Sequence, residues 1–567
     1  MKKRFLILIL IATIGISSFY VEAANPAGTP KTTKEQGLKK PFKKIKAYFR
    51  YRAEDYNGAL RIYREIYELN KNDAKINFLI GKTNVQLQNM DEAMVFLKRA
   101  LKLQPNVDKS IHFLLGECYQ YNEKIDSAII EYKAYESTFK NSKPSANDPV
   151  IDLLAQVETA KNLMDHPVNV KITNMGSNIN SEYDDGMPQI TADGKTLIFT
   201  SRRPDTKGGG IDPNTGQYYD DIYISTWDEV KKEWSPAEDA EGDLNTPGHD
   251  AVLGISPDGK TIFVYRNIPK VTGSGDIYFS TKKPDGKWSK PKPLAKPVNS
   301  SFFEGSCSLS PDGNWLYFVS ERNGGYGNAD IWKSKRIGKN IWAKPVNLGP
   351  VINSEGDEMS VFMHPDGKTI FFTSNGHKTM GGYDIFMSQM KADSSWTDPV
   401  NLGYPINTTK NELSFTMTAD GKKAYITSTK AGGLGGADIY EVDMTNYVFP
   451  IKIGSEVTTT TEAPKIETDL SILKGTVIES DAAQALEAEI SIKDIATGKI
   501  SKILTSENGD YFITLKGDKD YEISVEKEGY KKYTEKVTLP FDAEKTYTLV
   551  KLIVLEKLPA EKKDDKK

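Results

Sequence analysis

Five carboxylates occupy the same place in successive copies of a repeated sequence, and their type and spacing could do chemistry. Each acid lies five residues after an Asn that is followed by Ser or Thr. The acids are Asp185, Asp250, Glu304, Glu358 and Glu412, and the Asn residues are Asn180, Asn245, Asn299, Asn353 and Asn407. Because converging carboxylates suit a hard cation such as Ca²⁺, one hypothesis is a ring that binds a cation or a polar ligand.

The alternative interpretation of these acids is structural. Each acid would accept hydrogen bonds from backbone N–H groups or hydroxyls of the next copy and so lock the copies together. A residue that the fold requires recurs in every copy, whereas a ligand site usually breaks the symmetry. The recurrence therefore favours the structural interpretation, and we predict neither a bound metal nor a cofactor.

One loop breaks the symmetry of the repeat. The first copy spans 65 residues and the next three span 54 each, and the excess lies between Arg202 and Asp221. Loops of this kind often carry recognition. The candidates for partner binding are Arg202, Arg203, Asp205, Tyr218 and Tyr219, with His249 and His377 nearby.

Patterns typical of catalysis are missing from the sequence. The chain has five His, no two of them at metal-ligand spacing on one helix, and it has no Gly-x-Ser-x-Gly elbow. The two cysteines, Cys118 and Cys307, fall in different predicted domains, which favours buried free thiols over a disulfide. We therefore predict that the protein is not an enzyme.

The elements that must position the acids follow from three further marks in each copy. An Asp-Gly pair flanked by apolar alternation predicts a tight β-hairpin. An Asp-Ile-aromatic triplet and a Trp followed by Pro supply two more strands, so each copy has four. The Asp-Gly pairs begin at Asp193, Asp258, Asp312, Asp366 and Asp420.

Four-stranded units in tandem pack radially as the blades of a β-propeller, here predicted over 168–450. Five copies predict five blades, with six blades as the alternative. The segment 168–175 is expected to close the ring by pairing with the last blade. The run Ser256-Pro-Asp-Gly-Lys260 resembles the repeat of TolB-type propellers, a resemblance that is specific for fold but poor for function.

The N-terminal third has a helical repeat. Ala59, Ala93 and Ala128 recur at intervals of 34 and 35, and Gly81 and Gly116 each precede one of them by 12 residues. This pattern resembles the tetratricopeptide repeat, which implies a helical solenoid over 42–164 with a capping helix from 149 to 164. Such a solenoid is either a groove that holds a peptide or partner helix, or a spacer.

The C-terminal third is predicted to form a small β-sandwich over 471–556. Short strands separated by turns indicate the sandwich, and its order of motifs resembles the carboxypeptidase regulatory-like domain, a structural or interaction module. A Thr-rich linker over 451–470 precedes it, and a charged tail over 557–567 follows it. The predicted fold is thus multidomain: solenoid, propeller, sandwich.

The first residues predict export. A basic start and an apolar run before Ala24 are typical of a cleaved signal peptide over 1–23, followed by a polar linker over 24–41. A net charge of −3 disfavours nucleic acid as a partner. The expected location is the periplasm.

The order of the three modules resembles a group of Bacteroidetes-type envelope proteins. That group includes PorE-like accessory subunits of type nine secretion and usually continues into an OmpA-like, peptidoglycan-binding domain. This sequence stops where that domain would begin, so direct peptidoglycan binding is in doubt. The resemblance implies an outer-membrane-associated scaffold for envelope proteins; the alternative is a binding protein for a small ligand, glycan or cation at the propeller mouth.

Overall fold

A computed structural model describes residues 33–139, 148–212, 216–266, 275–430, 432–448, 466–543 and 545–558. These residues form a helical domain and a β-rich domain. Among them, no helix is long and apolar enough to cross a membrane. The predicted signal peptide lies outside the described residues.

Seven helices form the helical domain, and each packs against the next along the chain. Small residues allow this close approach, since a Cβ on Gly81 would lie 2.6 Å from Leu97 and one on Gly116 would lie 2.4 Å from Tyr132. The predicted tetratricopeptide packing is confirmed. The helices are α1 (Thr33–Arg52), α2 (Tyr56–Leu69), α3 (Ala74–Gln86), α4 (Met90–Leu103), α5 (Ile111–Tyr121), α6 (Ile125–Ser137) and α7 (Pro149–Asp165).

The first helix overlaps the segment that was expected to be a polar linker. That linker was placed at 24–41, whereas α1 begins at Thr33. Lys, Glu, Gln and Leu, which dominate this stretch, all have favourable helix propensities. A polar composition therefore does not exclude a helix here.

The β-rich domain begins with five antiparallel sheets, here called sheets 1 to 5 in chain order of their first strands. Their strands, with the short strand β1 (Lys171–Asn174), are β2 (Asp185–Ile190), β3 (Thr196–Ser201), β4 (Asp221–Asp228), β5 (Glu233–Trp234) and β6 (Glu238–Asp239) in sheet 1; β7 (Ala251–Ile255), β8 (Thr261–Arg266), β9 (Asp276–Thr281) and β10 (Lys292–Pro293) in sheet 2; β11 (Glu304–Leu309), β12 (Trp315–Ser320), β13 (Asp330–Gly338), β14 (Ile341–Trp342) and β15 (Val346–Asn347) in sheet 3; β16 (Glu358–Met363), β17 (Thr369–Ser374), β18 (Asp384–Gln389) and β19 (Val400–Asn401) in sheet 4; and β20 (Phe415–Met417), β21 (Lys423–Ser428) and β22 (Asp438–Asp443) in sheet 5.

The first strands of the five sheets contact one another in cyclic order, from β2 through β7, β11, β16 and β20 back to β2. The strand β1 pairs antiparallel with β22, with Lys171 opposite Asp443. It therefore supplies the outer strand of sheet 5, as the sequence predicted for 168–175. The chain thus enters and leaves the ring within one sheet.

Two smaller sheets complete the β-rich domain and enclose a shared apolar core. One has the order β26-β23-β29 and the other has the order β25-β24-β27-β28. The sequence missed β25, which is polar, and β29, which pairs parallel with β23. The strands are β23 (Leu470–Glu479), β24 (Glu489–Asp494), β25 (Ile500–Leu504), β26 (Asp510–Lys516), β27 (Lys519–Val525), β28 (Tyr533–Leu539) and β29 (Tyr547–Leu555).

These two sheets pack against the ring on the side of its Asp-Gly turns. Leu470 and Ile472 are buried with Ala192 and Ala419, which lie beside two of those turns. The Nζ of Lys260 lies 2.8 Å from a carboxylate oxygen of Asp510. One side of the ring is therefore covered, and the recurring acids lie at the other end of the first strands.

Candidate functional site

Each recurring Asn bonds to the main chain of the preceding sheet. The Oδ1 of Asn299 accepts a hydrogen bond from the Ile277 N–H at 3.1 Å, and its Nδ2 donates to the Ile277 carbonyl at 2.9 Å. The same pair of bonds joins Asn245 to Ile222, Asn353 to Ile331, Asn407 to Ile385 and Asn180 to Ile439. The last pair joins sheet 1 to sheet 5, so five amide clasps link the ring.

Sequence reasoning used the Asn only as a landmark and missed this role. The available indication was its recurrence in all five copies beside an aliphatic residue. A buried amide side chain that must satisfy one N–H and one C=O can be replaced by no other side chain except Gln, which is longer.

The recurring acids bond within their own copy. Asp185 accepts from the Ser181 N–H at 2.6 Å and from its hydroxyl at 2.7 Å. Asp250 accepts from the N–H and the hydroxyl of Thr246, each at 2.6 Å. All five acids are buried. The expectation that the donors come from the next copy is therefore corrected, because an acid four residues after Ser or Thr reaches that residue's own turn.

Arginine side chains pair with the first three acids. The nitrogen–oxygen distance is 3.2 Å for Arg203 with Asp185, 3.2 Å for Arg266 with Asp250 and 3.1 Å for Arg322 with Glu304. Burial raises the pKa of the Asp185 and Asp250 carboxyls and lowers the pKa of the Arg322 guanidinium. Opposite charges that are removed from water together compensate each other.

Sheet 4 departs from this pattern. Glu358 accepts from the hydroxyls of Ser354 at 2.7 Å and Ser374 at 2.8 Å, but it forms no ion pair with a described residue. Gly376 stands two residues after Ser374, where Arg322 stands two after Ser320 in sheet 3. Burial without a cation raises the pKa of Glu358 to about 7.

His377 takes over the second task of the missing arginine. Its Nε2 lies 2.8 Å from the carbonyl oxygen of Ile352, as Arg266 in sheet 2 donates to the Leu244 carbonyl at 2.7 Å. The ring of His377 packs against Phe386 with centroids 5.2 Å apart. Burial lowers the pKa of His377, so the side chain acts as a neutral clamp.

The long loop of sheet 1 is tied down by a charged network. The buried Arg202 donates from Nε to Asp220 at 2.8 Å, and Asp220 also lies 2.7 Å from Nδ1 of His249. The Nε2 of His249 lies 3.3 Å from Asp212. Hydrogen bonding to Asp220 raises the pKa of His249, and the ring of Tyr219 lies 4.8 Å from the imidazole.

The other partner-binding candidates are partly engaged. Asp205 is exposed and accepts a hydrogen bond from the Tyr223 hydroxyl at 2.7 Å. The ring of Tyr218 lies edge-on to Tyr183 at 5.3 Å. The structure thus brings Arg202, Tyr219 and His249 together, while His377 makes its contacts in sheet 4.

In the described part of the chain, no three His, Cys, Asp or Glu side chains are grouped as a metal site requires. The two cysteines are buried and free, as the sequence predicted. Burial raises the pKa of the Cys118 thiol to about 12.

The helical domain has side chains of mixed character on its odd-numbered helices. The Nζ of Lys82 on α3 lies 5.3 Å from the ring centroid of Tyr51 on α1. The half-buried Glu117 on α5 has no hydrogen-bond partner among the described residues, and burial raises its pKa to about 7. Three helices therefore contribute an aromatic, a cation and an acid to one region.

Two family models match parts of the chain. Residues 50–118 match the tetratricopeptide repeat, and residues 472–551 match the carboxypeptidase regulatory-like domain. Both are non-catalytic modules. Both predicted resemblances are confirmed over these ranges. No curated protein sequence matches the chain.

Solved structures match mainly the helical domain. The first tetratricopeptide region of Spaghetti bound to an HSP90 peptide is 14% identical, with a TM-score of 0.20, and covers 22% of this chain and 94% of its own. The Yersinia enterocolitica type III secretion chaperone SycD bound to a YopD peptide is 14% identical, with a TM-score of 0.20, and covers 23% and 97%. The 3-chlorocatechol 1,2-dioxygenase of Rhodococcus opacus is 15% identical, with a TM-score of 0.14, and covers 16% and 60%.

Proposed function

We propose that this protein is a non-catalytic scaffold that binds other proteins through its helical domain. One observation carries the proposal. The charged groups of the ring are largely satisfied by the chain itself, whereas the helical domain exposes large apolar side chains. The match to the tetratricopeptide repeat supports the same conclusion, since these repeats suggest a protein-interaction scaffold.

The five sheets are proposed to be a five-bladed β-propeller of the TolB type. Their cyclic contacts, the β1–β22 pairing and the five amide clasps support this architecture. In this proposal the propeller is a rigid platform, and the C-terminal sandwich covers the side with the Asp-Gly turns.

The setting is proposed to be the periplasm, in association with the outer membrane. The predicted signal peptide and the order of the three modules support an envelope scaffold. The same order supports an accessory role in type nine secretion or envelope assembly. Direct binding to peptidoglycan is not part of the proposal.

A cross-linked pull-down of the chain from Ala24 onward tests the scaffold function. We expect an envelope protein in stoichiometric amounts, and we expect its loss when residues 42–164 are deleted. Recovery of the chain alone would contradict the proposal. Circular dichroism of the deleted form checks that its β structure remains.

The second candidate is a ligand-binding function at the end of the ring that carries the acids. The long loop of sheet 1, with the exposed Asp205 and the Tyr219–His249 pair, favours it. A ligand at about 100 times its Kd would stabilise the fold by about 2.7 kcal/mol. Melting curves with and without Ca²⁺ test the cation form of this hypothesis, and an unchanged midpoint would reject it.

A further inference from the structure

The first helix of the solenoid has an apolar face that no other described element covers. Phe42, Ile45 and Phe49 recur at helical spacing, so they share one side of α1. Their exposed fractions are 76%, 54% and 65%. The buried Ala47 and the packing of α1 on α2 lie on a different side.

The internal repeat indicates what belongs on this face. A shift of 34 residues superimposes α1 on α3 in sequence, so that Phe42 corresponds to Ile76 and Ile45 to Leu79. Ile76 is fully buried against Ile62 and Ile66 of the preceding helix α2. The corresponding residues of α5 are buried too, against α4. In both cases the face receives a preceding helix.

We propose that the exposed face of α1 receives an amphipathic helix of a partner protein, docked as α2 docks on α3. This inference rests on the proposed scaffold function and names the surface and the chemistry of the partner. Burial of one aromatic side chain stabilises by about 1.5–3 kcal/mol. The two exposed phenylalanines therefore suffice for specific docking.

The charges on α1 select the kind of helix that fits. Between Pro41 and Arg52 the helix has five basic residues and no acid. Lys46, which corresponds to the buried Ile80, and Arg52 are exposed and form no ion pair with a described residue. They lie at the two edges of the apolar face, so the partner helix should present an apolar stripe bordered by acids.

Two other occupants fit less well. A second copy of this chain would bring Lys46 and Arg52 against the same cations. An anionic membrane would find few free charges, because Lys43 and Lys44 pair with Glu65 and Asp73 of the same domain at 2.6 and 3.4 Å. Each free cation contributes about 1 kcal/mol of attraction to an anionic leaflet.

A fluorescence-anisotropy titration tests the proposal with a peptide that has the sequence of residues 55–70. The acidic probe contains Arg61→Glu and Arg64→Glu, and the matched probe keeps both arginines. We expect the chain from Ala24 onward to bind the acidic probe more tightly. The double variant Phe42→Ser/Phe49→Ser should weaken that binding at least about tenfold.

Two more variants keep the test specific. Lys46→Glu should weaken the acidic probe and strengthen the matched one. Ile130→Ser removes an equally exposed aliphatic side chain from α6 and should leave both affinities unchanged. Circular dichroism verifies that each variant keeps its helices.

Several outcomes would overturn the proposal. Equal binding by the double variant would show that the probe docks elsewhere. Dimerisation that the double variant abolishes would assign the face to a second copy, and binding to vesicles of phosphatidylcholine with phosphatidylglycerol that it abolishes would assign the face to a membrane. A stoichiometric partner that the double variant still captures would reject this surface but leave the scaffold function intact.

Discussion

The ring of five sheets and the first helix of the solenoid treat their side chains in opposite ways. In the ring, Glu304 is fully buried, bonded to Ser320 at 2.9 Å and paired with Arg322 at 3.1 Å. On α1, Phe42 and Phe49 are mostly exposed, and the neighbouring Lys46 has no ionic partner among the described residues. Residues that recur in every copy serve the fold, whereas the first copy of the solenoid has side chains that the chain itself leaves uncovered.

The largest effect should come from breaking one ion pair of the ring. Glu304→Gln leaves the Arg322 guanidinium buried without its counter-charge, so we expect a loss of about 3 kcal/mol of unfolding free energy. Denaturant titration of the β-rich domain measures the loss. An unchanged stability would mean that the acids do not hold the ring, and the cation hypothesis would regain weight.

An amide clasp should rank second. Asn299→Ala leaves the buried N–H and carbonyl of Ile277 without their partners, which should cost about 2 kcal/mol. The same titration measures it, and Asn340→Ala at an exposed turn is the control. A loss below about 0.5 kcal/mol would remove the clasps from the account of the fold.

Sheet 4 should respond with the opposite sign. The pKa of Glu358 is about 7 in the folded protein and close to 4.3 in an unfolded chain, so the folded state holds its proton more tightly. This group therefore costs stability as the pH rises through that window. Glu358→Gln should stabilise by about 1 kcal/mol at pH about 8 and have little effect at pH about 4.

Melting curves across this pH range, with Glu304→Gln as the matched variant, measure the difference between the two sheets. Destabilisation by Glu358→Gln at high pH would indicate a cation near Glu358.

The smallest effect on stability should come from α1. Phe42→Ser/Phe49→Ser replaces exposed side chains, so we expect a change within about 0.5 kcal/mol. Thermal melting of the helical domain checks this value. A larger loss would mean that these phenylalanines belong to the core of the domain, and the contrast with the ring would fail.

The sequence predicted the repeats better than the contacts between them. Periodic Asp-Gly turns and the 34-residue spacing of Ala59 and Ala93 located the sheets and helices, because these small or turn-forming residues have strict backbone requirements. The start of α1 and the strand β29 were missed, since a polar helix and a parallel edge strand have weak local patterns.

The candidate site was predicted by residue but not by contact. The acids were correctly singled out, yet their donors lie in the same copy, and the link between copies is made by the adjacent Asn. His377 was grouped with the long loop, although it serves as the clamp of sheet 4. Such pairings depend on which strand ends meet in space, which spacing along the chain does not encode.

One measurement tests the central claim that partner binding belongs to the helical domain. Cross-linked pull-downs of the chain from Ala24, of Phe42→Ser/Phe49→Ser and of the loop variant Asp205→Ser/Tyr218→Ser are compared by quantitative mass spectrometry. We predict a stoichiometric protein partner that the α1 variant loses and the loop variant keeps. Loss in the loop variant alone, or the absence of any partner, would contradict the account.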